Sequence, residues 1–298
     1  MSKIPFSLSN VAQVAVQAVD AGATISAGGT GGASVFAGVV VSEYGQPFEV
    51  IHITSDNWQT KLGAPYHPSL GKIAEPLRHV ADAIKGGEGY VVRVVDAAAK
   101  YPVVTISTLG TIVIAGQNPP VFTPAVGVTS AQAYDTPYTL PAPAMFAIFP
   151  KDGNVSGRKV EIVASAKKLG TYTLNLTAVD KFGTEYVVES HEVSFNVNAV
   201  DDMGAPTYIV TRLESSSQAL GIVLKEGQDF TQFAGMAKVA FTGGGLGNQK
   251  AITSAQYQKA LDVLGNAMVG YTALLGLGCY APDVIAAIGE LASARRID

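Results

Sequence analysis

Cysteine is almost missing from this sequence, and charge is scarce. The single Cys279 excludes an intrachain disulfide framework and any cysteine-built metal cage. Charged residues make up 15% of the 298 positions, against about 25% in ordinary soluble domains, so much of the surface must be apolar or neutral polar. The balance that remains is acidic, −4, whereas a nucleic-acid partner calls for an excess of Lys and Arg against phosphates. Runs of roughly 18 apolar residues, the minimum for a membrane-spanning helix, do not occur. The N-terminal stretch Met1 to Asn10 also lacks the apolar block and small-residue cleavage site of a secretory leader. The expectation is a soluble protein made and kept in a cytoplasm, with neither nucleic acid nor membrane as partner.

Apolar residues, at 48%, are plentiful. The chain is long enough for one large or two to three small domains with real cores. A weakly charged, apolar-rich surface suits an assembly subunit, because area exposed on the monomer is later covered by neighbours.

Along the chain, Val11, Val14, Val16 and Val19 alternate loosely among Ala and Gln, and residues 1–24 read as an extended arm, with a helix as the competing reading. Gly28, Gly29, Gly31 and Gly32 form a flexible joint behind it. Residues 25–98 then read as the first part of an α/β domain. It holds a buried strand from Val35, a second strand at 48–54, a short helix carrying Trp58 and Leu62, and a helix with Ile73, Leu77, Val80, Ala81 and Ile84 on one face. The run Tyr90-Val-Val-Arg-Val-Val95 is a strand covered on both sides.

Between 99 and 205 the texture changes to β-branched runs broken by proline and glycine, with strands expected at 103–109, 111–115, 159–164, 172–178, 185–188 and 192–197. Asp180-Lys-Phe-Gly183 reads as a hairpin connection, and 117–150 as surface loop with short edge strands. An inserted antiparallel β-sandwich-like domain is the natural architecture. Residues 206–298 read as the second part of the α/β domain. There Thr253 and Gln256 make a capping box for a helix bearing Tyr257, Ala260, Leu261 and Leu264. A short strand at 272–277 follows, then a helix opened by Pro282 with Arg295 and Arg296 near its negative end. The stop at Asp298, where another strand is due, suggests a shortened chain.

No constellation for catalysis emerges. His52 falls in a strand, His67 beside Pro68, His79 on a helix and His191 in the β-rich region, none beside a convincing nucleophile, and no GxSxG elbow occurs. The glycine loops around Gly29 and Gly243 break both the GxGxxG and the P-loop spacing, so hinges and turns explain them better than phosphate binding. Glu189, His191 and Glu192 could share a metal, but a solvated polar strand face is the simpler reading. Cys279 is expected as a buried small hydrophobe, and Trp58 and Tyr90 as core or interface anchors. No catalytic, cofactor or metal site is assigned.

Three blocks in order resemble the contractile tail sheath proteins of bacteriophages. The first runs Val39-Val-Val-Ser-Glu-Tyr-Gly-Gln-Pro-Phe-Glu-Val50, Ile53-Thr-Ser55, Trp58 and Leu62-Gly63, then Gly86-Gly-Glu-Gly-Tyr-Val-Val-Arg-Val94. The second is Gly153-Asn-Val-Ser-Gly-Arg-Lys-Val-Glu-Ile162, without the tryptophan often seen there, and the third joins Thr242-Gly-Gly-Gly-Leu-Gly-Asn248 to the helices ending at Arg296. The resemblance implies a subtilisin-like layout for the α/β core, lacking the C-terminal arm and the tube-facing helix of the family. It further implies a structural subunit without cofactor that polymerises helically, in stacked rings, around an inner tail tube protein. Baseplate and tail terminator proteins would bound the polymer, which contracts to deliver a genome. The location implied is the virion, after assembly in the host cytoplasm. Two rival expectations are the sheath of a bacterial contractile injection system, of bacteriocin or secretion type, and a virion or surface adhesin that uses the β-rich domain to bind.

Overall fold

The computed structural model describes residues 34–113, 120–134, 136–154, 157–180, 182–279 and 281–295. The arm residues Val11, Val14, Val16 and Val19 and the joint residues Gly28, Gly29, Gly31 and Gly32 lie outside them. Among the described residues the strands form three four-stranded sheets and one two-stranded ribbon. The chain divides into two compact units. The first takes the segment up to Glu43 with Pro47–Val94 and the segment from Lys250, and the second takes Tyr44–Gln46 with Val95–Gln249.

The first unit is a mixed α/β layer. Strands β1 (Ser34–Val40), β2 (Val50–Ile53), β3 (Gly87–Arg93) and β14 (Ala273–Leu275) lie in the order β14-β1-β3-β2. β1 is parallel to both β14 and β3, and β2 runs antiparallel to β3 at one edge. Because successive side chains of a strand point to opposite faces, β1 and β3 each feed two cores. Phe36, Val40 and Val91 pack with Trp58 and Leu62 of α1 (Trp58–Leu62) and with Leu77 and Val80 of α2 (Pro76–Ala83). Ala37, Val39, Val92 and Val94 pack with Ala260, Leu261 and Leu264 of α4 (Ser254–Asn266) and with Val284 and Ile288 of α5 (Pro282–Arg295). Burial on both faces is what the unbroken apolar run of β3 dictates. Gly38 belongs to the close packing, since a Cβ there would stand 2.6 Å from the Leu275 carbonyl oxygen.

The second unit is antiparallel. One sheet has the order β12-β8-β4-β7, from β4 (Lys100–Ile106), β7 (Val128–Ala133), β8 (Phe146–Pro150) and β12 (Leu220–Leu224). The other has the order β11-β10-β9-β13, from β9 (Arg158–Ala164), β10 (Tyr172–Val179), β11 (Glu185–Val193) and β13 (Gly235–Ala240). The ribbon pairs β5 (Thr111–Val113) with β6 (Val121–Thr123). Val104, Ile106, Phe146 and Ile148 of the first sheet share one core with Val160, Ile162, Leu174 and Leu176 of the second, closed by Ile209 and Leu213 of α3 (Ile209–Ser216).

Several strands depart from the sequence reading. The β-rich unit does not end at 205, because β12 and β13 pair with β8 and β9 and so complete its two sheets. It also begins at Val95 rather than 99. β8 is an inner strand rather than loop or edge. Its apolar run lies between β12 and β4, and Pro150, which has no amide to donate, falls at its end. The expected strand 185–188 continues through Glu189-Ser-His191 to Val193 as β11, with a register shift opposite Leu176 and Thr177, so the strand expected at 192–197 supplies only its last two residues, and 195–197 turn away. The Asp180–Gly183 connection is a tight turn as expected: Asp180 Oδ1 accepts the amides of Phe182 at 2.8 Å and Thr184 at 2.9 Å, and Gly183 takes φ 89°.

Candidate interaction surfaces

His52, His67 and His191 serve local structure. His52 pairs with Glu88 at 2.7 Å and stacks on Tyr90, ring centroids 5.0 Å apart. His67 Nδ1 accepts the Ser69 amide at 3.3 Å and so caps the turn that follows it. His191 and Glu189 meet at 3.0 Å. These two alternate with Glu192, which falls on the opposite face of β11, so the three do not converge. The expectation of a solvated face is corrected too. Glu189 is largely buried and accepts hydrogen bonds from the Ser217 hydroxyl at 2.6 Å and the Gln218 amide at 3.0 Å, tying β11 to the chain leaving α3. Burial opposes its ionisation, but the hydrogen bonds from Ser217, His191 and Gln218 outweigh it and hold the carboxyl below its usual range. Among the described residues no group of three or more His, Cys, Asp and Glu is placed to share a metal ion, and no helix is long and apolar enough to cross a membrane.

The glycine loop at 242–248 has its polar groups engaged. Gly245 exchanges both backbone hydrogen bonds with Lys100, at 2.8 Å each, and the Asn248 amide donates to Asp96 at 2.7 Å. A carboxylate of the protein thus takes one of the backbone donors of the loop. Trp58 and Cys279 are core residues of the first unit, and burial pushes the Cys279 thiol up. Arg93, inside the Tyr90-Val-Val-Arg-Val94 run, is fully buried and donates from Nε to the Ser42 carbonyl at 3.1 Å, which fixes the path of the chain leaving β1. In the sequence that arginine stands within an apolar strand, and the mismatch is the signal that it holds backbone.

Edges are the remaining chemistry of the first unit. At β2 the Lys61 ammonium donates to the His52 carbonyl at 2.8 Å, a charged side chain laid on a sheet edge. At the other edge β14 is held to β1 partly by Thr272, whose amide and hydroxyl both donate to the Val35 carbonyl, at 2.7 and 3.0 Å. Val50 and the Ala255, Gln258, Lys259, Asp262 and Val263 side of α4 line a shallow groove.

No family model matches the chain, and no curated protein sequence does. Solved structures do, among them two sheath tail proteins. The one from Listeria innocua is 11% identical with a TM-score of 0.44, covering 89% of this chain and 45% of its own. The one from Desulfitobacterium hafniense is 10% identical with a TM-score of 0.42, covering 89% of this chain and 46% of its own. The chain thus spans less than half the length of either protein.

Proposed function

We propose that this chain is a structural subunit of a contractile tail sheath, which polymerises helically with itself around an inner tube. The observation that carries the reading is the convergence of separated motifs. The 39–94 block supplies the end of β1, with β2, α1 and β3, and the 250–295 segment supplies α4, β14 and α5, so residues far apart in sequence complete one sheet. The order of these motifs in the sequence resembles that of sheath proteins, and a subtilisin-like layout of this core belongs to the same proposal.

Polymerisation in this reading uses residues 1–24 as a strap. The alternating valines Val11, Val14, Val16 and Val19 add as a strand to the sheet of a neighbouring copy, with Gly28, Gly29, Gly31 and Gly32 as the joint. The β14 edge is the better acceptor, because the β2 edge carries Lys61 on the His52 carbonyl. Strand donation from one copy to the next is heterologous and propagates as a helix instead of closing. Contraction then draws on two packing states of the same interfaces, since packed interfaces are bistable and not continuously deformable. Baseplate and terminator proteins set the ends, and the assembled sheath belongs to a virion.

Electron microscopy of the full chain and of a chain lacking residues 1–24 tests this. Striated tubes are expected from the former, and folded but unassembled protein from the latter. Tubes from the truncated chain would refute the strap, and absence of any polymer from the full chain at high concentration would refute the sheath reading.

A further inference from the structure

From Tyr101 to Pro150 the sequence carries one charged side chain, Asp135, and from Tyr101 to Tyr134 none, although charged residues make up 15% of the whole chain. Among its strands this stretch builds the β5–β6 ribbon. Side chains of a strand alternate between faces, so the register Thr111↔Thr123, Ile112↔Phe122 and Val113↔Val121 puts Thr111, Val113, Val121 and Thr123 on one face. All four are exposed, Val113 at 46% and Val121 at 49%. Ile112 and Phe122, on the other face, are half-buried. Neither face is fully covered, and two strands alone are marginal in water. The ribbon is held at its base: the Leu109 carbonyl accepts the Ala234 amide at 2.7 Å, and Ala125 bonds through its backbone to Gly235 and Ala237 at 2.8 Å each.

The two edges of the ribbon differ. β6 stands between Pro120 and Pro124, which have no amides to donate and blunt that edge. β5 has neither a proline nor a charge, and its pairing with β6 has no register shift. Among the described residues, Thr111, Ile112 and Val113 make no hydrogen bond beyond those to β6. An open edge without charge, proline or bulge is a template for another strand.

What the edge presents selects its occupant. With no charged group between 101 and 134, it has nothing to pair with an acidic or basic peptide, whose charges would lose water without a partner. It suits a neutral strand of β-branched residues. β5 is itself such a strand, Thr111-Ile-Val113. Laid antiparallel on its own copy about Ile112, it sets Ile112 opposite Ile112 and Thr111 opposite Val113, pairs of β-branched side chains that a pleated sheet favours, and brings no like charges together.

We infer that the β5 edges of two copies pair in this way, joining their two ribbons into one sheet about a two-fold axis. Such a contact is self-complementary and closes at two copies. It neither needs the strap nor lengthens a polymer, so it goes beyond the sheath reading and stands independently of it.

Cysteine capture tests it on the full chain and on the chain lacking residues 1–24, with buried Cys279 left in place. Opposed residues of antiparallel strands have Cα atoms about 4.5–5.5 Å apart, inside the span of a disulfide. Under mild oxidation Ile112→Cys is expected to give a disulfide-linked dimer in both chains. Met203→Cys, at a position 97% exposed and outside the ribbon, serves as the control for random collision. Capture of Ile112→Cys no faster than the control overturns the pairing. Capture only after residues 1–24 are removed would mean that the strap fills this edge, and overturns it too. Sedimentation below the concentration at which the full chain polymerises gives a second measurement. There Val113→Lys, which sets a charge on the edge in place of an apolar side chain, is expected to weaken the dimer about 10- to 100-fold. The position is exposed, so the fold, checked by circular dichroism, is expected to survive. Unchanged dimerisation of Val113→Lys would also overturn the proposal.

Discussion

Glu189 stands on an edge strand, yet it is 15% exposed and accepts three hydrogen bonds, from Ser217, His191 and the Gln218 amide. A carboxylate stabilised in its charged form by folding has a folded pKa below its unfolded one. Its contribution is therefore complete above the usual glutamate value of 4.5 and is lost as pH falls through the lower, folded value. In the same unit Asp152 is shifted the other way: burial pushes its carboxyl up in spite of Arg158 beside it. The wild-type acid response thus mixes opposite signs, and the Glu189 part must be read as a difference. Glu189→Gln keeps the size but cannot accept all three bonds, and it is expected to cost about 1–3 kcal/mol at pH 7. In urea titrations the gap should narrow steadily below pH 4.5. A gap of constant size down to pH 3 would show that the charge is not what matters.

At the scale of elements, the last turn of α5 secures the end of α4. Arg295 Nη1 donates to the carbonyls of Leu264, Gly265 and Ala267 at 3.3, 3.2 and 3.3 Å, and Nη2 to Val269 at 3.0 Å. Its guanidinium also lies 4.4 Å from the Tyr271 ring centroid. A cation at carbonyls left unpaired by a helix end satisfies both hydrogen bonding and the helix dipole. Arg295→Ala is expected to cost about 2 kcal/mol and to speed amide exchange at 264–271 before the rest of the first unit. Arg295→Lys should recover less than half of that, because a point charge cannot span four carbonyls. Unchanged exchange at 264–271 in Arg295→Ala would refute the cap.

The basic end of α5 was legible in the sequence, but a dipole argument assigned it to its own helix; that it caps α4 depends on a packing between helices that no local pattern encodes. Local chemistry did specify the capping box, where the Thr253 amide donates to Gln256 Oε1 at 3.1 Å, and the Asp180 turn. The strands read least well were β8, β12 and β13. They are short runs among glycine and proline, and which sheet such a run joins is set by pairing partners, β4 and β9, that are distant in sequence. Glu189 and His191 were misread for a related reason, since the polar pair looks solvated until α3 and β12 bring Ser217 and Gln218 over it.

For the whole molecule, the scarcity of charge limits how copies would hold together in the proposed assembly. With 20 Lys and Arg against 24 Asp and Glu over 298 residues, an extensive interface of ion pairs has few residues to draw on. A strap bound by main-chain hydrogen bonds needs none. Salt screens exposed charges over about 10 Å at 0.1 M and about 3 Å at 1 M, so an interface built on charge would loosen steeply across that range, whereas excluded salts such as sulfate strengthen apolar burial. The critical concentration for assembly is accordingly expected to change less than about threefold between 0.1 and 1 M sodium chloride and to fall in sodium sulfate of equal ionic strength. Light scattering against protein concentration measures both. A rise of tenfold or more in sodium chloride would mean that the copies meet through their few charges, and the strap would then be secondary to a contact formed elsewhere on the surface.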